Sequence, residues 1–150
     1  MTDQTQWMLN GGKCGVCGDP WNAPAPRDHE LGGRFTPAHA IIARRYRRGG
    51  VVPVVVELTA SHAGHFEFRV CPVLHDPVSD SSRDPDPDCL DRNVLPLVAG
   101  EGTRPSSRRY VVGPRATRMH AVEVQLPPEL DCKHCLFQWK YHTGKHSHDQ

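Results

Sequence analysis

Residues 51–72 read Val51-Val-Pro-Val-Val-Val-Glu-Leu58, then Thr59-Ala-Ser-His-Ala-Gly-His-Phe-Glu-Phe-Arg-Val-Cys-Pro72. An apolar run ends at a short polar turn carrying His62. A stretch that alternates Phe66, Phe68 and Val70 with Glu67 and Arg69 then leaves it. Period-two alternation marks a strand with one face against a core. The segment therefore reads strand, turn, strand, with an imidazole at the rim of β-structure. Loops at such rims present side chains to partners, and histidine is the commonest transition-metal ligand. A turn histidine on its own is an ordinary solvated residue, so the rest of the chain decides.

Working outward, Ile41 to Arg47 and Val51 to Thr59 read as paired strands across Gly49-Gly50, a turn pair suited to positive φ. Pro53 confines the second of these to an edge or a bulge. His65 to Cys71 is the third strand. Residues 72 to 89, with Asp84-Pro-Asp-Pro-Asp88, read as a solvated acidic excursion outside the core, and the alternating prolines keep it from wrapping a calcium ion. Leu90 to Leu97 suggests one helical turn, and Glu101 to Ser107 a polar loop. Tyr110 to Val112 is a short strand. Met119 to Leu126 alternates Val122, Val124 and Leu126 with Glu123 and Gln125, and Leu136 to Tyr141 alternates Phe137, Trp139 and Tyr141 with Gln138 and Lys140. Short strands with turn-rich connections and no internal repeat predict an all-β protein, a β-sandwich. Residues 10 to 39 are dense in Gly, Pro, Asp and Asn, and read as an ordered loop held by cysteines.

The 150 residues suffice for one domain, and 13 Gly with 14 Pro leave little room for a helical bundle. Eighteen basic against 17 acidic residues give no global field for nucleic acid or an anionic membrane. The basic run Arg44-Arg-Tyr-Arg-Arg48 is local and reads as a solvated strand face. No stretch approaches the length of a membrane span. Met1 to Asn10 has neither a basic n-region nor an apolar h-region, so no signal peptide is expected there.

Six cysteines in a chain this short point to disulfides or to zinc. Cys14-Gly-Val-Cys17 resembles a zinc knuckle and Cys132-Lys-His-Cys135 offers a second pair, but the gap between them exceeds that of a zinc ribbon. Cys71 and Cys89 flank one acidic loop and form the best candidate for a local bridge. For Cys14, Cys17, Cys132 and Cys135 the partners stay open, since six cysteines allow 15 pairings.

Five stretches occur in order: Asn10-Gly-Gly-Lys-Cys-Gly-Val-Cys-Gly-Asp-Pro-Trp21, Val56 through Pro72, Cys89-Leu-Asp-Arg92, Gln125-Leu-Pro-Pro128, and Cys132 to Tyr141. Together they resemble the animal lytic polysaccharide monooxygenases, auxiliary-activity family fifteen, with a chitin-binding type 4 domain. The likeness runs from about residue 6 to 144 within a single domain spanning 1–150. It implies an immunoglobulin-like β-sandwich with long disulfide-held loops, in a secreted, extracellular and monomeric protein. It also implies one copper ion in a histidine brace, made by the amine and imidazole of a mature N-terminal histidine plus a second histidine, which matches His62. Reduced copper in that brace reacts with O₂ or H₂O₂ to oxidise a glycosidic carbon of chitin or cellulose. Disulfides are thereby favoured over zinc.

The chain departs from the family at both ends. Only Met1 to Leu9 precede the Asn10 motif, and no histidine precedes His29. Past Tyr141 the chain runs His142-Thr-Gly-Lys-His-Ser-His-Asp-Gln150 instead of continuing to a last strand with an axial Phe or Tyr. The expectation is an incomplete copy that binds copper weakly and oxidises nothing as it stands, with exposed tail histidines. His65 is a candidate replacement copper ligand if residues 62 to 65 turn tightly, and otherwise a substrate-facing residue on the rim. Gln138 is a candidate for the metal pocket, while Trp21 and Trp139 are assigned to packing. The alternatives to an oxidoreductase are a non-catalytic chitin- or polysaccharide-binding module and a gene-model fragment. A zinc-ribbon nucleic-acid binder is more distant, since it needs metal-bound thiols.

Overall fold

The computed structural model describes residues 4–39, 41–100, 104, 106–115 and 118–144. Eight strands carry the architecture: β1 Val51–Glu57, β2 Gly64–Pro72, β3 Leu74–Asp76, β4 Ser81–Arg83, β5 Leu97–Gly100, β6 Tyr110–Val112, β7 Met119–Gln125 and β8 Cys135–Thr143. Among the described residues, helix is confined to a π-type turn, Gln4–Leu9, and to α1, Pro87–Arg92. The strands form an antiparallel sheet β1-β7-β5, a sheet β6-β2-β8, and a hairpin β3-β4. This is the all-β architecture that the alternation predicts.

The chain divides into two compact units. One holds Met1–Arg45, Val70–Arg92 and Cys132–Gln138; the other holds Tyr46–Arg69, Asn93–Asp131 and Trp139–Gln150. The second unit is the sandwich. In β7, His120, Val122 and Val124 are buried while Met119, Ala121 and Glu123 are exposed. In β1, Val52 and Val56 are buried and Val51 and Val55 exposed. Phe66 on β2, with no exposed surface, joins the two sheets. Its ring meets the edge of His120 from β7 at 5.4 Å and stacks on Tyr110 from β6 at 5.6 Å. Tyr141 and Trp139 of β8 meet it edge-on at 4.9 and 5.4 Å. His120 tolerates this burial because its Nδ1 lies 3.2 Å from the Tyr110 hydroxyl.

Pro53 lies on β1, which among the described residues pairs only with β7 and so forms a sheet edge where a missing N–H is tolerated. Three local readings need correction. Ile41 to Arg47 forms no strand among its residues, all described. Ile41 is 77% exposed, and four arginines within residues 44–48 resist burial. The Gly49 turn pairs instead with the segment after β7: Gly49 N–H donates to Pro127 O, and Leu126 N–H to Gly50 O. The acidic excursion is partly structured, with Pro85 buried and the Asp84 carboxylate accepting from Leu31 N–H at 2.8 Å. Asp86 caps α1 by accepting from Asp88 N–H at 2.8 Å, with Pro87 in the first helical position.

Residues 10–39 are not held by their cysteines, since Cys14 and Cys17 are both free thiols. Ion pairs do that work. Asp19 accepts from His29 N–H and lies 2.7 Å from His29 Nδ1, and Arg27 pairs with Glu30 at 2.7 Å. The disulfides join Cys71 to Cys89, Cα atoms 6.3 Å apart, and Cys132 to Cys135, 5.9 Å apart.

Truncating the residue that joins the sheets tests this account of the core. Phe66→Ala should destabilise the protein by about 3–5 kcal/mol in urea unfolding, whereas Val55→Ala on the exposed edge of β1 should cost well under 1 kcal/mol.

Candidate functional site

The β1–β2 connection is short and heavily fixed. Ala63 and Gly64 take positive φ of 54° and 99°, which reverses the chain between His62 and His65. A Cβ at Gly64 would overlap the carbonyl oxygen of His142, so only glycine fits there. The His62 N–H donates to the Tyr141 hydroxyl at 3.0 Å, and Gly144 N–H donates to His62 O at 3.1 Å and Ala63 O at 3.3 Å. Ser61 Oγ donates to Gly113 O at 2.8 Å. The backbone of His62 is thus clasped by the end of β8 while the residue itself is exposed.

One turn further along, His65 and Glu67 project from the same face of β2, two residues apart. His142 comes from β8, the neighbouring strand. The tail reading placed His142 in solvent; it is instead a half-buried strand residue. Its ring stacks on that of His65, with centroids 4.6 Å apart, and its Nε2 lies 3.1 Å from Glu67 Oε2. His146 and His148 lie outside the described residues. One ligand-type atom from each of His65, Glu67 and His142 lies within 4.8 Å of the others. Arg69, the next residue on that face, donates to Glu67 Oε2 at 2.6 Å, and Arg109 Nε lies 3.4 Å from Oε1. His65 is half-buried, with its side chain 24% exposed, and does not stand out on a rim.

Burial by itself would raise the Glu67 carboxyl; the Arg69 hydrogen bond and the His142 and Arg69 charges outweigh it and bring it down to about 2. Burial pushes the His142 imidazole down, helped by Lys140 and His65 and opposed by Glu67. His142 is therefore neutral at pH 7, and there it is Arg69 that keeps Glu67 ionised.

Of the remaining sequence candidates, Trp139 lies in the same unit and Gln138, Trp21 and the free cysteines in the other. Gln138 is half-buried and donates from Nε2 to Val16 O at 2.8 Å; its Oε1 is buried and makes no hydrogen bond among the described residues. Trp21 and Trp139, assigned to packing, are 37% and 42% exposed, and Trp139 packs edge-on against Phe66. Trp21 lies under the Arg27 guanidinium at 4.8 Å. The Cys17 thiol is pushed up to about 11 by local burial and then by Asp84, Glu30 and Asp19, although the residue as a whole is exposed. With Cys132 bonded to Cys135, the four thiols do not assemble a tetrahedral zinc site.

Sequence reasoning found His62 and His65 but missed Glu67 and His142. The available signal was the His65-Phe-Glu67 spacing, which puts an imidazole and a carboxylate on one strand face.

Two expectations follow. Gly64→Ala should cost at least about 1–3 kcal/mol through strain alone, more with the overlap at His142, as read by the thermal midpoint. Stability should also fall in two stages on acidification. The lowered His142 contributes stability that is present above pH 6.5 and lost as pH falls below it; the lowered Glu67 contributes stability present above pH 4.5 and lost as pH falls to about 2. Urea unfolding against pH should show Glu67→Gln shrinking the lower stage, to which the lowered Asp19 and Asp76 carboxyls also contribute.

Comparison with known proteins converges on one family. A family model described as lytic polysaccharide mono-oxygenase, cellulose-degrading, matches residues 1–149. Among solved structures, the chain is similar to the family AA15 lytic polysaccharide monooxygenase from Thermobia domestica in its Cu(I) state, at 35% identity and a TM-score of 0.77. The match covers 94% of this chain and 66% of that one, so this chain spans just under two thirds of that protein's length. No curated protein matches significantly. A family match along nearly the whole chain, joined to a shared fold at 35% identity, shows that the chain belongs to the lytic polysaccharide monooxygenase family.

Proposed function

We propose that this chain is the core of a secreted, copper-dependent monooxygenase acting on a crystalline β-linked polysaccharide, chitin or cellulose, with His62 supplying an equatorial copper nitrogen. The observation that carries this reading is the His62 loop: an exposed imidazole on a backbone fixed at both its N–H and its C=O. Such a residue suits a metal that must face a flat solid, because the residue lies at the surface while its backbone is hydrogen-bonded on both sides. An imidazole donor also suits copper chemically. Copper held there would supply one-electron chemistry toward O₂ or H₂O₂, which the family directs at a glycosidic carbon.

The chain's own residues position and expose. Tyr141 accepts from the His62 amide, so its hydroxyl orients the ligand's backbone. Gly144 closes the loop from the other side, and the left-handed Ala63-Gly64 pair turns the chain away so that His62 does not pack into the sheet. An N-terminal histidine would supply the other two nitrogens of a brace, as the family resemblance implies.

The test is made in protein that presents an N-terminal histidine. His62→Ala should lower Cu(II) affinity at least tenfold in calorimetry and abolish release of oxidised oligosaccharides from chitin and cellulose with ascorbate present. Unchanged release would remove His62 from the site. Retained binding to the solid with no oxidation by the parent would favour the non-catalytic module instead.

A further inference from the structure

We propose that His65, Glu67 and His142 form a second metal site, separate from the His62 position, which takes a divalent first-row ion of the Zn²⁺, Co²⁺ or Fe²⁺ kind through two imidazole nitrogens and one carboxylate oxygen. Two histidines and a carboxylate are the donor set such ions accept, with open positions left for water. The three donor atoms already lie within 4.8 Å of one another. Binding distances of about 2.0–2.2 Å to nitrogen and oxygen put donors roughly 3–3.5 Å apart, so ring rotations closing up to about 1.5 Å complete the site.

Four features favour a site over an incidental cluster. His65 Nε2 is buried and makes no hydrogen bond among the described residues, although it lies 3.5 Å from Glu67 Oε1. A buried nitrogen left without a partner costs free energy that a bound ion would recover. Two donors share a central strand, and the third comes from its neighbour, so the scaffold is rigid. The Glu67 side chain is 9% exposed, so its carboxylate is largely removed from competing bulk water. The two carboxylate oxygens are also differently engaged: Arg69, itself 7% exposed, holds Oε2, whereas Oε1 faces His65 and Arg109.

Arg109 is the competitor. Its side chain is 67% exposed and is free to swing into water, leaving Oε1 to the ion. Arg69 would remain, and its charge would weaken binding without blocking it. His142 would exchange its contact with Glu67 for the metal.

Zn²⁺ calorimetry and the visible absorption of bound Co²⁺ test this on the 150-residue chain, with the Cys14 and Cys17 thiols alkylated throughout. One ion per chain is expected. His65→Ala, Glu67→Gln and His142→Ala should each weaken binding at least tenfold and remove the Co²⁺ band, and His65→Gln and His142→Gln serve if an alanine variant fails to fold. Arg109→Ala should bind about tenfold tighter, a gain that a merely structural cluster would not produce. His62→Ala should leave Zn²⁺ affinity unchanged, which keeps this site distinguishable from the copper position. The proposal is overturned if neither ion binds at millimolar concentration. It is equally overturned if binding survives loss of His65 and His142 but disappears with His62→Ala or with His146→Ala and His148→Ala together.

Discussion

The buried Glu67 carboxylate is the constraint on which the site's architecture turns. A charge taken out of water costs several kcal/mol unless it is paired and hydrogen-bonded. Glu67 is 7% exposed and sits on a strand whose other face carries the fully buried Phe66 and Phe68. It must therefore gather cations and donors from its surroundings. Arg69 answers from the same strand, Arg109 from the approach to β6, and His142 from β8. The last of these ties the end of β8 to β2 beside the turn that carries His62.

From that tie the presentation of His62 follows. Tyr141 and Gly144 flank His142 in sequence, and they are the residues that clasp the His62 backbone. Gly64 completes the fit, since only the absence of a side chain lets β2 start so close to His142 O. Tyr141 works on both sides, with its ring against Phe66 in the core and its hydroxyl on the His62 amide. Core packing and the placement of a surface ligand thus share residues, so changes in β8 are expected to act on both.

Much of the fold was legible because strands form where the residues placed them, at β1, β2, β7, β8 and Tyr110–Val112. Burial follows strict alternation in β7, whereas Phe66 through Cys71 of β2 are all buried and Phe137 and Trp139 of β8 are 38% and 42% exposed. Ile41 to Arg47 misled because β propensity without a partner strand makes no sheet. The polar face of β2 was only half legible, since Glu67 and Arg69 alternate identically whether they meet water or a buried ion network. His142 was unreadable for a physical reason: its partner Glu67 is 75 residues upstream, and no local pattern encodes that pairing. The C-x-x-C spacing at 132 and 135 suits thiolate ligation and a local bridge equally, so the pairing of these two sulfurs needed coordinates.

The central claim is that the end of β8 holds the His62 backbone while its side chain stays exposed. Residue-resolved amide hydrogen exchange tests it most directly. The amides of His62 and Gly144 should exchange far more slowly than unstructured chain, and Tyr141→Phe should release protection at His62 while leaving Gly144 protected. A His62 amide in the parent protein that exchanges at the rate of an unstructured peptide would contradict the account.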